Sequence, residues 1–299
     1  MKHSMKTVSF TMAALMTVSL MSGTNVFASD KQGTQTQITL YAAKSLNKVL
    51  EDAIIPAFNE EYPDVKISGS YDSSGTLMEQ IESAGGVGID VFFSAAQKQM
   101  DQLEGEDLIE KDTRADIVNN QVCVVSYPDS GTKVTGLKNL GDAASLALAA
   151  GSVPVGKYTR QALVSAGMLQ APADGDVSMI DTVSVSKALG GVEINECANV
   201  GAVTDAVAQH SNEVGTVYYS DTYGLEKDLQ ILEKVSYDLT GDVIYPAAVV
   251  NNKEADADQK AAAEAFTEFL TSDQAKKIFT AYYFDTNVGD EAGSETESE

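Results

Sequence analysis

Histidine is almost missing: of 299 residues, only His3 and His210 carry an imidazole. His3 lies in an apolar N-terminal leader and His210 in an expected helix, so histidine-based triads are excluded and histidine-rich metal sites disfavoured. Cysteine is equally scarce, with Cys123 and Cys197 alone. Cys123 falls in the apolar run "NNQVCVVSY", where a free thiol packs as a small core residue, although an oxidising compartment would permit a bridge. Basic residues are few: Lys and Arg number 20 against 44 Asp and Glu, a formal net charge of −24. That balance argues against nucleic acid and against anionic membrane surfaces as partners. Neither GxxxxGK[ST] nor GxGxxG occurs, so the common nucleotide-phosphate signatures are absent. Beyond the leader, no apolar run is long enough to span a bilayer.

The leader is informative. "MKHSMK" is a short positive segment, "VSFTMAALMTVSLM" an apolar one too short to cross a membrane, and "NVFASD" offers small or apolar residues for cleavage after Ala28. Residues 1–28 therefore read as a secretory signal peptide. Its removal takes away Lys2 and Lys6 and no acid, which moves the formal charge from −24 to −26. No cysteine lies near the cleavage point, so no lipid anchor is expected. The mature chain is expected to be soluble and extracytoplasmic, in the periplasm or at the cell exterior. At 43% hydrophobic residues it can build one large domain or two lobes.

After a polar linker (29–36), strand and helix patterns alternate. "ITLYAA" (38–43), "VKISGSY" (65–71) and "IDVFFSA" (89–95) read as strands. "SLNKVLEDAIIPAFNEEY" (45–62), "TLMEQIESA" (76–84) and "AQKQMDQLEGE" read as the helices after them. This βαβαβα order implies a parallel sheet with right-handed crossovers. "QVCVVSY", "SLALAAG", "VGTVYYS" and "GDVIYPAAVV" supply further strands, and "TRQALVSAGML", "AVTDAVAQHS", "DADQKAAAEAFTEFLTS" and "DQAKKIFTAYY" further helices. The closing stretch "DTNVGDEAGSETESE" is acidic, and residues 288–299 are expected to be disordered.

Open α/β sheets bind ligands where strands end and helices begin. Two such junctions here, "AAKSLN" and "SYDSSGT", are made of small polar residues. Ser73, Ser74, Gly75 and Thr76 place hydroxyls and helix-start N–H groups together, which suits an anion. The same run also fits an ordinary serine helix cap. Ser45 and Lys48 match S-x-x-K, and Ser220-Asp221-Thr222 is close to S-D-N, but the third element K-T-G is missing, residues 133–136 reading "KVTG". A secreted Ser/Lys enzyme is thus the alternative from another functional class. Tyr218 and Tyr219 are adjacent; strand alternation predicts one in a cleft and the other in the core.

The segments "ITLYAAKSLNKVLEDAIIPAF", "SYDSSGTLMEQIESA", "IDVFFSAAQKQMDQL", "VPVGKYTRQAL", "VGTVYYSD" and "YPAAVV" together resemble the molybdate-binding proteins of ABC importers, over residues 37–284. The resemblance implies an α/β, two-lobed type II periplasmic-binding-protein-like fold with a ligand cleft between lobes. One lobe would comprise residues 37–118 and 244–287, the other 119–243. It further implies capture of molybdate or tungstate through its oxygens by Ser45, Ser74, Val155, Val200 and Tyr218, with no direct metal ligand, no cofactor and no catalysed reaction. The partners implied are the membrane subunits of an ABC permease, and the protein would be a monomer. A sulfate-binding protein, or one for another tetrahedral oxyanion, is the nearest alternative. Three features depart from the family pattern: valine at 155, Lys44 before Ser45, and a longer stretch over 171–197. A deprotonated tetrahedral dianion offers only acceptors, so a site of donors alone suits it. Phosphate would need a carboxylate for its proton; Asp72 is the candidate nearby and is expected at the rim.

Overall fold

The computed structural model describes residues 35–288. The expected signal peptide (1–28), most of the linker and all but the first residue of the expected tail lie outside the described residues.

Strand β1 (Thr36–Ala43) alternates as its sequence demands, with Ile38, Leu40 and Ala42 fully buried. It pairs in parallel with β2 (Val65–Asp72) and β3 (Val91–Phe93). Between β1 and β2 runs one continuous helical stretch of changing pitch. It has a 3-10 turn (Lys44–Leu46), α1 (Asn47–Val49), a π turn (Leu50–Ile54) and α2 (Ile55–Glu61). Pro56 falls in the first turn of α2, where its missing N–H is tolerated, and the π turn takes up the change of register before it. Phe58 of this helix meets Phe266 and Phe269 edge-on at 5.2 and 5.6 Å. Full burial of such a ring contributes about 1.5–3 kcal/mol.

Helix α3 (Ser74–Ala84) joins β2 to β3 and ends at Gly85, whose φ of 60° is left-handed. A side chain there would be strained, and the bond from Gly86 N to Ile81 O (3.0 Å) closes the helix end. After α4 (Gln97–Gly105), strand β4 (Ala115–Asn120) leads out of this first layer.

The chain then builds a second layer. Its elements are β5 (Val122–Ser126), β6 (Leu146–Ala149), α5 (Pro154–Ser165), α6 (Thr182–Ala188), β7 (Ile194–Cys197), α7 (Val200–Ala208), β8 (Val214–Tyr218) and β9 (Gln230–Lys234). Through α8 (Tyr237–Thr240) it returns as β10 (Val243–Val249) to the first layer, followed by α9 (Ala257–Leu270) and α10 (Asp273–Ala281). The first sheet is ordered β2-β1-β3-β10-β4 and the second β7-β6-β8-β5-β9. Each five-stranded sheet thus anchors one lobe of a two-lobed α/β fold.

Both sheets are mixed, which corrects the parallel-sheet expectation. The three leading strands are parallel as read, but β10 runs antiparallel to β3 and β4. The reason is topological. β4 carries the chain out of the lobe and β10 carries it back, so neighbours must run in opposite directions.

Strands β4, β7 and β9 had no clear sequence signature. The long stretch 171–197 forms a 3-10 turn (Val177–Met179), α6 and the edge strand β7, which pairs in parallel with β6. The extra length is absorbed at a sheet edge, and Val200 still begins α7. At the start of the closing acidic stretch, Asp285 N donates to Asn119 O (3.0 Å), and Asn119 N to Asp285 O (2.7 Å). Cys123 and Cys197 are both free and buried, so no bridge forms between them. Burial pushes the Cys123 thiol up to about 12, which keeps it an inert core group.

Candidate functional site

Four helix starts meet in one pocket, two from each lobe. The first is the turn after β1, at Lys44–Leu46, whose start is capped by no side chain among the described residues. The second is α3, where Ser73 Oγ accepts from Thr76 N (3.1 Å), leaving the N–H groups of Ser74 and Gly75 ahead of it. The third is α5, which begins with Pro154 and has no side-chain cap, so Val155 carries its first N–H. The fourth is α7, where Asn199 Oδ1 accepts from Ala202 N (3.0 Å) and Val200 comes first. Each start directs positive partial charge toward the same small space.

That space is a small cavity of about 10 Å³, about the room of one water molecule. Ser45, Ser74, Val155, Val200 and Tyr218 all line it, so the structure brings the five expected residues together. Ser74 is fully buried, and its Oγ accepts from Ala95 N (2.9 Å), which leaves the hydroxyl proton free to donate. Ser45 Oγ lies 3.0 Å from the Tyr245 hydroxyl. Tyr218 is 1% exposed, yet its hydroxyl has no hydrogen-bond partner among the described residues. A buried orphan hydroxyl costs free energy, and such groups normally have a partner. Burial raises the Tyr218 phenol well above its ordinary value, so it stays a neutral donor.

Two charged residues also line the pocket. Asp72, expected at the rim, is half-buried; its Oδ1 accepts from Ser73 N (2.8 Å) and from Asn199 Nδ2 (3.0 Å). The second bond joins the two lobes. Lys44 is half-buried too, and its aliphatic stem lies against Gly201, where an added Cβ would stand 3.0 Å from Lys44 Cε. A further bridge between lobes runs from Lys98 Nζ to Asp176 Oδ2 (2.8 Å) and Ser178 Oγ (3.1 Å).

The tyrosine pair divides differently from the expectation. Tyr218 ends β8 in the pocket, but Tyr219 is only half-buried and opens the following 3-10 turn. It stacks on Tyr283 at 4.6 Å, with Lys234 Nζ 3.2 Å from its ring centre. Lys48, the other half of the S-x-x-K reading, bonds Asp52 (3.0 Å), whose hydrogen bond raises the lysine above its ordinary value. It is a protonated surface group, unsuited to act as a base on Ser45.

Asp221 lies just past Tyr218 and accepts from Tyr218 N (3.0 Å). Burial pushes its carboxyl up to about 7, against an ordinary 3.8. Between those values the folded chain holds a proton that the unfolded chain has released. The stability from this group is therefore full below the unfolded value and falls as pH rises through the folded one. Asp221→Asn keeps an acceptor for Tyr218 N and removes the ionisation. Its melting temperature should rise relative to the parent from about pH 5 to about pH 8. A difference that stays flat over that range would show a carboxyl titrating at its ordinary value.

The pattern of the bacterial extracellular solute-binding proteins matches residues 38–285. The molybdate-binding protein ModA of Escherichia coli (strain K12) is 31% identical over 260 residues, covering 83% of this chain and 88% of that protein. YvgL of Bacillus subtilis (strain 168), assigned by name to the ABC transporter substrate-binding lipoproteins, is 28% identical over 282 residues, covering 93% and 98%. Among solved structures, a substrate-binding domain assigned to a molybdenum ABC transporter of Clostridium difficile superposes with a TM-score of 0.59 at 29% identity. That match covers 84% of this chain and 98% of the other. The match along almost all of the described residues, on a two-lobed fold with its pocket between the lobes, places this chain in the bacterial extracellular solute-binding protein family.

Proposed function

We propose that the protein captures molybdate or tungstate outside the cytoplasm and delivers it to the membrane subunits of an ABC importer, with no catalysed reaction and no cofactor. The observation that carries this reading is the donor set. Helix-start N–H groups and neutral hydroxyls converge on the pocket, and one of them, the Tyr218 hydroxyl, is buried without a hydrogen-bond partner among the described residues. Ser45 and Ser74 donate through side chain and backbone, Val155 and Val200 through N–H, and Tyr218 through its phenol. The anion is held by its oxygens, and no side chain touches the metal. Asp72 is already engaged with Ser73 and Asn199, so it is poorly placed to take up a phosphate proton.

The lobes open and close about the two chain crossings, near 118–120 and 243–245. Closure makes the bridges Asp72–Asn199 and Lys98–Asp176, and the closed monomer is what the permease meets. Secretion follows cleavage after Ala28.

Calorimetry of the anion-free protein against molybdate, tungstate, sulfate and phosphate tests the reading. Sulfate has the same charge and shape as molybdate but is smaller, so it cannot reach every donor at once. Each donor left unmade costs about 1–3 kcal/mol, and two give a preference on the order of a hundredfold. Tight molybdate and tungstate binding with weak sulfate and phosphate is expected. Sulfate binding as tight as molybdate would hand the site to the sulfate reading. An acyl-enzyme burst with an acylating probe would favour the Ser/Lys enzyme.

A further inference from the structure

Behind Ser45 lies a buried chain of polar groups, Tyr245, Asn120 and Ser220, that do not line the pocket. We infer that Tyr245 is a positioning residue, its hydroxyl set by Asn120 so that the Ser45 O–H is left to donate into the pocket; this rests on the oxyanion reading above.

The orientation of the Asn120 amide follows from its neighbours. Asn120 is 1% exposed, at the end of β4 where the chain leaves the first lobe. Its Oδ1 accepts from Gln121 N (2.9 Å), which fixes the orientation of the amide. The NH₂ group then has two protons and two acceptors: Ser220 Oγ at 2.8 Å and the Tyr245 oxygen at 3.1 Å. Because Asn120 donates to it, the Tyr245 oxygen is an acceptor on that side. The Tyr245 and Ser45 hydroxyls lie 3.0 Å apart, a separation that fits either as donor, and in the proposed relay the phenol donates to Ser45 Oγ. A phenol is also a better donor than an aliphatic alcohol. Ser45 Oγ thus accepts from Tyr245, and its proton points elsewhere.

The ring cannot drift. Tyr245 is fully buried on β10, edge-on to Tyr218 at 5.7 Å and to Phe284 at 5.9 Å. Ser220 begins its contact one residue after Tyr219, so the relay ties the second lobe to the donor on the first. A free serine hydroxyl would sample three rotamers and present a lone pair to an anion in some of them. The relay removes that choice before the ligand arrives, which is preorganisation.

The test is a double-mutant cycle read by molybdate calorimetry. Tyr245→Phe keeps the ring and removes the hydroxyl. It should weaken binding about tenfold in the parent, and change it little in a Ser45→Ala background where there is no hydroxyl left to orient. In a Ser74→Ala background the tenfold loss should persist in full, which rules out a mere floor on measurable affinity. Asn120→Asp, which replaces the donor with an acceptor and turns the tyrosine proton away from Ser45, should reproduce the same pattern. A Tyr245→Phe loss equal in the Ser45→Ala and parent backgrounds would show that the tyrosine acts through packing, and would overturn the proposal. So would parent-like affinity in Tyr245→Phe. If another of the four oxyanions binds tightest, the cycle is read with that anion. A parent protein that binds none of them overturns the oxyanion reading and this relay together, an outcome distinct from an additive cycle on a protein that binds.

Discussion

Gly156→Ala should cost the protein most of its anion affinity and lower its melting temperature by about 3–8 °C. Gly156 is the third residue of α5, the helix whose start carries Val155. A Cβ at this position would overlap the carbonyl oxygens of Ala150 and Ala149, both backbone atoms at the end of β6. Neither can rotate aside, so the helix start itself must move. It is not free to move, because fully buried Arg160 clamps it in place. Arg160 Nη1 donates to Ala149 O and to Gly156 O, each at 2.9 Å, and Nε donates to Ile180 O at 2.8 Å. The strain is relieved by displacing the first turn, and with it the Val155 N–H. Thermal melting by circular dichroism and molybdate calorimetry would be compared with the parent. Parent-like values in both would mean that the helix start does not press on β6 as described. The glycine in "VPVGKY" therefore has a packing reason: only a residue without a Cβ lets this helix begin against the strand it follows.

Much of the first lobe was legible because its signals are local. Alternating apolar residues mark β1, and "SYDSSGT" marks both a strand end and a helix cap. Ser73 does cap α3, so the capping reading of that run was correct on its own terms, and the pocket lies just ahead of the cap. Ser45 and Ser74 stand in two junctions that an open α/β sheet makes candidates for an anion, and the resemblance to a family singles them out there. Val155 and Val200 carry no such mark. They contribute backbone N–H groups, which no side-chain chemistry advertises, and only the resemblance to a family pointed to them.

The remaining features depend on contacts between distant parts of the chain. Tyr245 is 200 residues from Ser45, and nothing in "GDVIYPAAVV" distinguishes a core tyrosine from one that orients a serine. The Asp72–Asn199 bridge spans 127 residues and two lobes. Asp72 was expected at the rim because strand alternation turns it from Ser73; instead its carboxylate folds back onto the Ser73 N–H. The mixed character of both sheets was missed for a related reason. Local patterns give strand existence, whereas direction is set by where the chain crosses between lobes. Short strands such as β7 and β9 lie at sheet edges, half exposed, and lack the apolar alternation that marked β1.

Tyr218→Phe should move two measurements in opposite directions. The hydroxyl it removes is buried, with no hydrogen-bond partner among the described residues. With the lobes closed its desolvation costs about 1–3 kcal/mol, and with the lobes open it meets water, so without anion the phenylalanine variant should melt at the parent temperature or above it. The ring contact with Tyr245 at 5.7 Å does not need the hydroxyl, so packing is kept. Binding should respond the other way. A hydrogen bond to a charged ligand is worth about 1.5–3 kcal/mol, which corresponds to a loss of affinity of roughly ten- to a hundredfold. A tyrosine retained for structure gives the reverse pattern, because deleting a satisfied hydroxyl lowers stability and leaves a ligand elsewhere untouched. Differential scanning calorimetry without ligand and titration with molybdate would separate the two. A clear fall in melting temperature together with unchanged affinity would remove Tyr218 from the site. The expected pattern, a protein no less stable and a ligand held far more weakly, follows from a donor whose partner is the anion: closing the lobes buries the hydroxyl, and an anion oxygen offsets that cost.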